Sequence, residues 1–195
     1  MTHKIKIGNA IYEANLDFRV AIECNRIAED ETIGDHERIL GIIATMFGEH
    51  GLDNQEHYDK LIEWIIKYLS LGIETQDSKE KNEEPDIDYI LDKKYIISSF
   101  KYDYQYNPYE KDFLSWEDFY NDLNNLSNNE FGTCCILNRI RYFRNMDTSK
   151  IKDPNERTKA EEIKKRVALH KTKSKKNYTN EELNNMEEFY KQTGL

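Results

Sequence analysis

Polar and apolar positions alternate over Lys4 to Ile7, the turn pair Gly8-Asn9 follows, and a looser alternation runs from Ile11 to Leu16. Together these predict a small N-terminal β-hairpin. The period then lengthens to that of a helix. Asp17 stands as an N-cap before Phe18, Ala21, Cys24 and Ile27 at helical spacing. Asp35 is placed to cap a second helix with Ile39, Leu40, Ile43, Met46 and Phe47 inward. Asn54 opens a third, whose broad stripe is Tyr58, Leu61, Ile62, Ile65, Ile66 and Leu69, with Gly72 as its stop.

Residues 1–72 thus read as one unit, a hairpin followed by a helical bundle. Residues 73–85 are nearly all polar and predict a linker. A second helical unit follows over 86–148. Asp86 is expected to cap a helix carrying Ile87, Ile90, Leu91, Ile97, Phe100 and Tyr104, which Pro108 ends within a tyrosine-rich loop. Ser115 caps Trp116, Phe119, Tyr120, Leu123 and Leu126, and Phe131, Cys134, Cys135, Leu137 and Ile140 continue as a short helix. Basic and C-terminal helices fill 149–195. Asp153, Pro154 and Glu156 give an N-cap, an N1 proline and an acidic N3 residue, ahead of a narrow stripe of Ala160, Ile163 and Val167. Thr179 and Glu182 form a second capping box before Leu183, Met186, Phe189 and Tyr190. The expected fold is mainly α.

Composition alters that picture in two ways. One third of the 195 residues are charged and mean hydropathy is −0.87, but 13 Tyr and 8 Phe give the chain the aromatic stock that disordered segments lack. The net charge of −9 is unevenly spread. Residues 1–85 carry 9 Lys/Arg against 18 Asp/Glu, whereas Lys150–Lys176 holds 11 basic and 4 acidic residues. An acidic N-terminal unit and a basic later segment suit head-to-tail association of copies, although solvated faces account for the same pattern.

No apolar run approaches the roughly 18–20 residues that span a bilayer, and the N-terminus has no signal-peptide core, so no membrane association is expected. Three cysteines, Cys24, Cys134 and Cys135, make a poor disulfide framework and suggest a reducing compartment, the cytoplasm by default.

Catalytic and cofactor signatures are quiet. The five histidines show no i, i+4 metal pair, no Cys-x-x-Cys occurs, and Gly41, Gly48 and Gly51 form no phosphate loop. No Gly-x-Ser-x-Gly elbow is found, and Glu83/Glu84 and Glu161/Glu162 read as solubilising charge. A non-catalytic protein without metal or cofactor is expected. The lysines at 164, 165, 171, 173, 175 and 176, with Arg166, could contact phosphates, but an acidic pI of 5.2 argues against a dedicated nucleic-acid binder. A nucleic-acid-associated regulator stays as the alternative.

Several blocks carry a resemblance. Asp86-Ile-Asp-Tyr89 leads to Lys94-Tyr-Ile-Ile-Ser-Ser-Phe100, then Asp103-Tyr104, then Leu114-Ser-Trp116 with Phe119 and Leu123, then Ile136-Leu-Asn-Arg-Ile140-Arg141. Their order resembles the tail assembly chaperones of phages and prophages of low-GC Gram-positive bacteria, the phage "gene product fifteen" family. Asn15-Leu-Asp-Phe-Arg19 is similar to that family's opening helix. The resemblance covers most of residues 11–145. Glu117 and Ser115 depart from the family's Trp and His, and the loop Gln105–Phe113 replaces its Gly-Ile-Asp-Leu turn.

What the resemblance implies is a chaperone that coats the long, helical tape measure protein and helps recruit tail tube subunits, as a homo-oligomer and with no catalytic step. From the residue pattern itself, the candidate partner-binding residues are Trp116, Phe119, Tyr120, Ile163 and Val167. The first three suit an aromatic docking face, although aromatics at helical spacing more often fill a core, and the last two form a stripe that suits a peripheral helix or one that pairs with a second chain.

Overall fold

The structure, a computed structural model, describes residues 2–72, 86–128 and 135–169. The expected linker 73–85, Phe131, Cys134, the Lys171–Lys176 run and the helix expected after Thr179 lie outside the described residues.

The fold is mainly helical behind a two-stranded antiparallel hairpin. Strand β1 (Thr2–Ile7) pairs with β2 (Ala10–Asn15), and α1 (Phe18–Ala28), α2 (Asp35–Phe47) and α3 (Tyr58–Leu69) follow. The later helices are α4 (Lys93–Tyr104), α5 (Trp116–Asn124), α6 (Ile136–Asn145) and α7 (Pro154–Val167). On the inner face of the hairpin Ile5 and Ile7 join Tyr12 and Ala14 over Ile43, Met46, Phe47, Leu61 and Ile65. Gly51 lies so close beneath α2 that a Cβ there would sit 2.7 Å from Ile43 Cγ2.

Capping follows the sequence at three helices. Asp17 accepts from the Arg19 N–H, Ser115 from Asp118 N–H, and Asp153 from Glu156 N–H behind Pro154. Elsewhere the boundaries move. Gly34 occupies the N-cap of α2, and Asp35 is its first residue, bonded to Arg38 at 3.0 Å. Asn54 caps a short 3₁₀ turn, Gln55–His57, ahead of α3.

The largest shift is at Asp86, which caps no helix. Residues 86–92 form a turn in which Asp88 Oδ1 accepts from the N–H groups of Ile90 and Leu91, both at 2.8 Å. Helix α4 begins only at Lys93, so Ile96 replaces Ile97 in the core while Ile90 and Leu91 are about half exposed. Ile39 and Ile66, expected inward, also face out, because α2 packs through Ile43, Met46 and Phe47 and α3 through Leu61 and Ile65.

The segments before and after 73–85 share their packing. One apolar cluster joins Phe18 and Ala21 of α1 to Ile96, Phe100, Leu114, Trp116, Phe119 and Leu137. Further along its buried stripe α1 gives Cys24 to the cluster under the hairpin, and Tyr68 and Leu69 of α3 touch both. Helix α1 is therefore the wall between the two cores.

Backbone pairing fixes this junction. Phe18 N–H donates to Leu114 O at 2.9 Å and Trp116 N–H to Leu16 O at 3.1 Å, so Asp17 faces Ser115 in an antiparallel bridge. Both residues cap helices, so α1 and α5 start side by side. From α3, Tyr68 Oη donates to Leu16 O at 2.7 Å, and Trp116 Nε1 donates to Leu69 O at 3.0 Å. These bonds satisfy backbone groups that burial would otherwise leave stranded.

Candidate interaction surface

The aromatic residues expected on a docking face mostly turn inward. Phe119 is wholly buried, its ring stacked 4.3 Å from that of Phe18 and 5.5 Å from that of Phe100, and Trp116 is 2% exposed. Tyr120 is half-buried, 5.5 Å from the Trp116 ring. Aromatics at helical spacing on α5 thus build the core and hold α1, α4 and α5 together.

The narrow stripe of α7 lies along α6 of the same chain. Ala160 is buried, and Ile163 and Val167 are half-buried. Two polar bonds fasten the helix end, Arg144 Nε to Val167 O at 2.6 Å and Lys164 Nζ to Met146 O at 2.9 Å. One of the lysines read as a phosphate contact is therefore occupied. Lys165 and Arg166 remain exposed.

Arg144 is the hub of this region. Its Nη1 and Nη2 reach the two carboxylate oxygens of Asp92 at 2.6 and 2.8 Å, and Nη1 also donates to Asp86 O at 2.8 Å. Arg141 adds a 2.8 Å bond to the Asp86 carboxylate. One guanidinium therefore ties the 86–92 turn, α4, α6 and the end of α7. Nothing in the local sequence around Arg144 announces this role, since its partners are 52 and 58 positions away.

Burial pushes Tyr68, Tyr89 and Tyr109 up to about 12, and the Cys24 thiol likewise. Burial also presses Asp17 upward, but the Arg19 side chain and the N–H groups of Arg19 and Leu114 outweigh it and leave the carboxyl below its ordinary value.

What the surface offers is scattered apolar area. Ile11, Ile66, Ile90, Leu91, Tyr102 and Tyr142 are each more than half exposed. Two hollows accompany them. One, of about 720 Å³, runs beside β2 between Ile11 and the end of α2; the other, about 540 Å³, lies under the loop at Gln105–Lys111. Among the described residues no group of three or more His, Cys, Asp or Glu is placed to hold a metal, and no helix is long and apolar enough to cross a membrane.

Residues 1–169 match the family described as Bacteriophage Gp15 protein. The chain belongs to this phage family. No curated protein and no solved structure matches it. The family match spans the hairpin and all seven helices among the described residues. The blocks that resembled the family at the outset fall largely on the junction and core described above. Asn15–Arg19 pairs with Leu114–Trp116, and Lys94–Phe100 supplies Ile96 and Phe100. These blocks hold the Gp15 chain together.

Proposed function

We propose that this Gp15 protein is a tail assembly chaperone of a siphophage or prophage of low-GC Gram-positive bacteria, acting in the host cytoplasm. The observation that carries the reading is membership of the phage Gp15 family over residues 1–169. In it the protein binds the tape measure protein, keeps it soluble, and helps recruit tail tube subunits. A long chain of amphipathic helices aggregates unless its apolar stripes are covered. Ile66, Ile90, Leu91 and Tyr142, with the open parts of Tyr120, Ile163 and Val167, offer dispersed apolar contacts of the kind that cover requires. Many copies of a weak binder along one partner gain by avidity. Release then needs only a competing tube subunit and no catalytic step.

Co-expression with the tape measure protein of the same phage, followed by light scattering of what co-purifies, tests the reading. Several copies per soluble tape measure chain, where that chain alone is insoluble, are expected. A tape measure protein that aggregates beside the free Gp15 chain refutes it.

A further inference from the structure

We propose that copies of this chain join edge to edge, the outer edge of β2 in one copy receiving β1 of the next. The hairpin closes on a two-residue turn, with Gly8 at φ 60° and Ile7 opposite Ala10. Such a turn closes on a hydrogen-bonded pair, and the ladder alternates from there. The pairs Ile7–Ala10, Ile5–Tyr12 and His3–Ala14 bond within the hairpin. The N–H and C=O groups of Ile11, Glu13 and Asn15 therefore point outward from β2, and those of Lys4 and Lys6 outward from β1. Among the described residues no hydrogen bond reaches the outward backbone groups of Ile11 or Glu13. The hollow of about 720 Å³ lies against the outer face of the hairpin, lined by Thr2 and Lys4 of β1 and Ile11 and Glu13 of β2, and reaches Met46 and Phe47 at the end of α2.

An open edge invites a strand, and side-chain charge chooses which. The outer face of β1 carries Lys4 and Lys6, and that of β2 carries Ile11 and Glu13, which is already bonded to Lys4 of its own copy at 3.1 Å. Pairing β1 with β1 sets lysines against lysines, and pairing β2 with β2 sets Glu13 near its own copy. Both arrangements are penalised. Only β1 on β2 repeats the hairpin's own matching, Lys4 against Glu13 and the Lys6 stem against Ile11, which is 58% exposed. The contact is heterologous, so it propagates into rings or open chains. A single strand edge is a small contact, weak per copy and effective in an array. This deepens the multi-copy part of the chaperone reading, but it is read on the chain alone, so a failure here leaves tape measure binding untouched.

Sedimentation velocity of the full chain across the micromolar range, at low and high salt, is the experiment. Concentration-dependent oligomers that weaken with salt are expected. Ile11→Pro deletes an outward N–H without touching a hairpin bond, and should weaken association by about tenfold or more with an unchanged circular dichroism spectrum. Lys4→Glu and Glu13→Lys should each weaken it, and mixing the two variants should restore pairs. A wild-type monomer overturns the proposal, as does folded Ile11→Pro that associates like wild type, or a mixture no stronger than its components.

Discussion

Arg144 and Asp92 meet as a two-pronged ion pair with side chains only 9% and 2% exposed, although α6 and the N-cap of α4 lie 52 residues apart in the chain. The fork geometry suits arginine and not lysine, because two parallel bonds need a planar donor pair. Nε and the second N–H of Nη1 reach Val167 O and Asp86 O, so each of the three guanidinium nitrogens has a partner. Together with Ile87 and Tyr89, which pack on the core, Arg144 fixes where the chain re-enters the fold after residue 85, and it also holds the end of α7.

Arg144→Ala leaves the Asp92 charge buried and unpaired, which should cost about 3–5 kcal/mol in urea unfolding followed by circular dichroism. Arg144→Lys should recover only part of that loss. Replacing both partners, as Arg144→Met with Asp92→Asn, removes the lone charge and should be milder than Arg144→Ala. A double variant as unstable as the sum of its single variants would show that the two residues act independently.

Asp17 makes the junction of α1 and α5 sensitive to acid. Its carboxyl is depressed in the folded chain, so the stability it adds is present above the ordinary carboxyl pKa of about 3.9 and disappears as pH falls through the folded value. Asp17→Asn keeps a capping oxygen but cannot titrate. Unfolding midpoints from pH 6 down to 2 should show wild type well above the variant at pH 6 and the two converging at the acid end. Parallel curves across that range would contradict the assignment.

Three half-buried tyrosines supply a matching test on the alkaline side. Tyr68, Tyr89 and Tyr109 are raised by burial to about 12, whereas unfolded tyrosines ionise near 10. The unfolded chain therefore gains negative charge first, and the stability these groups lend below pH 10 is lost as pH rises towards 12. Tyrosinate absorbance should rise in two stages for the native protein and in one stage near pH 10 in strong denaturant. Tyr68→Phe should remove one late-titrating group and weaken the Leu16–Trp116 junction, where Tyr68 Oη is both donor and acceptor.

Much of this architecture was legible in the chain because it is written locally. The hairpin turn, the caps at Asp17, Ser115 and Asp153, and the apolar periods of α1, α3 and α5 all follow from residues within one or two turns of each other. The roles that were not legible depend on distant partners. Trp116 and Phe119 look the same in sequence whether they dock a partner or fill a core, and only Phe18, brought in from α1, decides it. Ile163 and Val167 look like a free stripe until α6 is laid against them. The start of α4 slips from Asp86 to Lys93 because Arg141 and Arg144 capture Asp86 and Asp92, and neither arginine signals that from its neighbours.

Gln105 holds a backbone conformation it is poorly made for, and that gives the last prediction. It ends α4 at φ 62°, ψ 23°, in the left-handed region, where a Cβ brings a cost that glycine avoids. The residue is the first of the Gln105–Phe113 loop, which stands where the family resemblance led one to expect a turn beginning with glycine. Its side chain returns little, a single exposed 3.1 Å bond from Nε2 to Tyr102 O. Gln105→Gly should therefore stabilise the protein by about 1 kcal/mol, the left-handed penalty less the added chain entropy of glycine when unfolded. Gln105→Val, branched at Cβ, should destabilise it by a comparable amount. Thermal unfolding of the three proteins side by side checks the order Gly above Gln above Val. If glycine fell below glutamine, the long loop and not the cap would be setting this helix end, through Tyr106 bonded to Asp122 and Lys111 lying 3.8 Å over the Tyr106 ring.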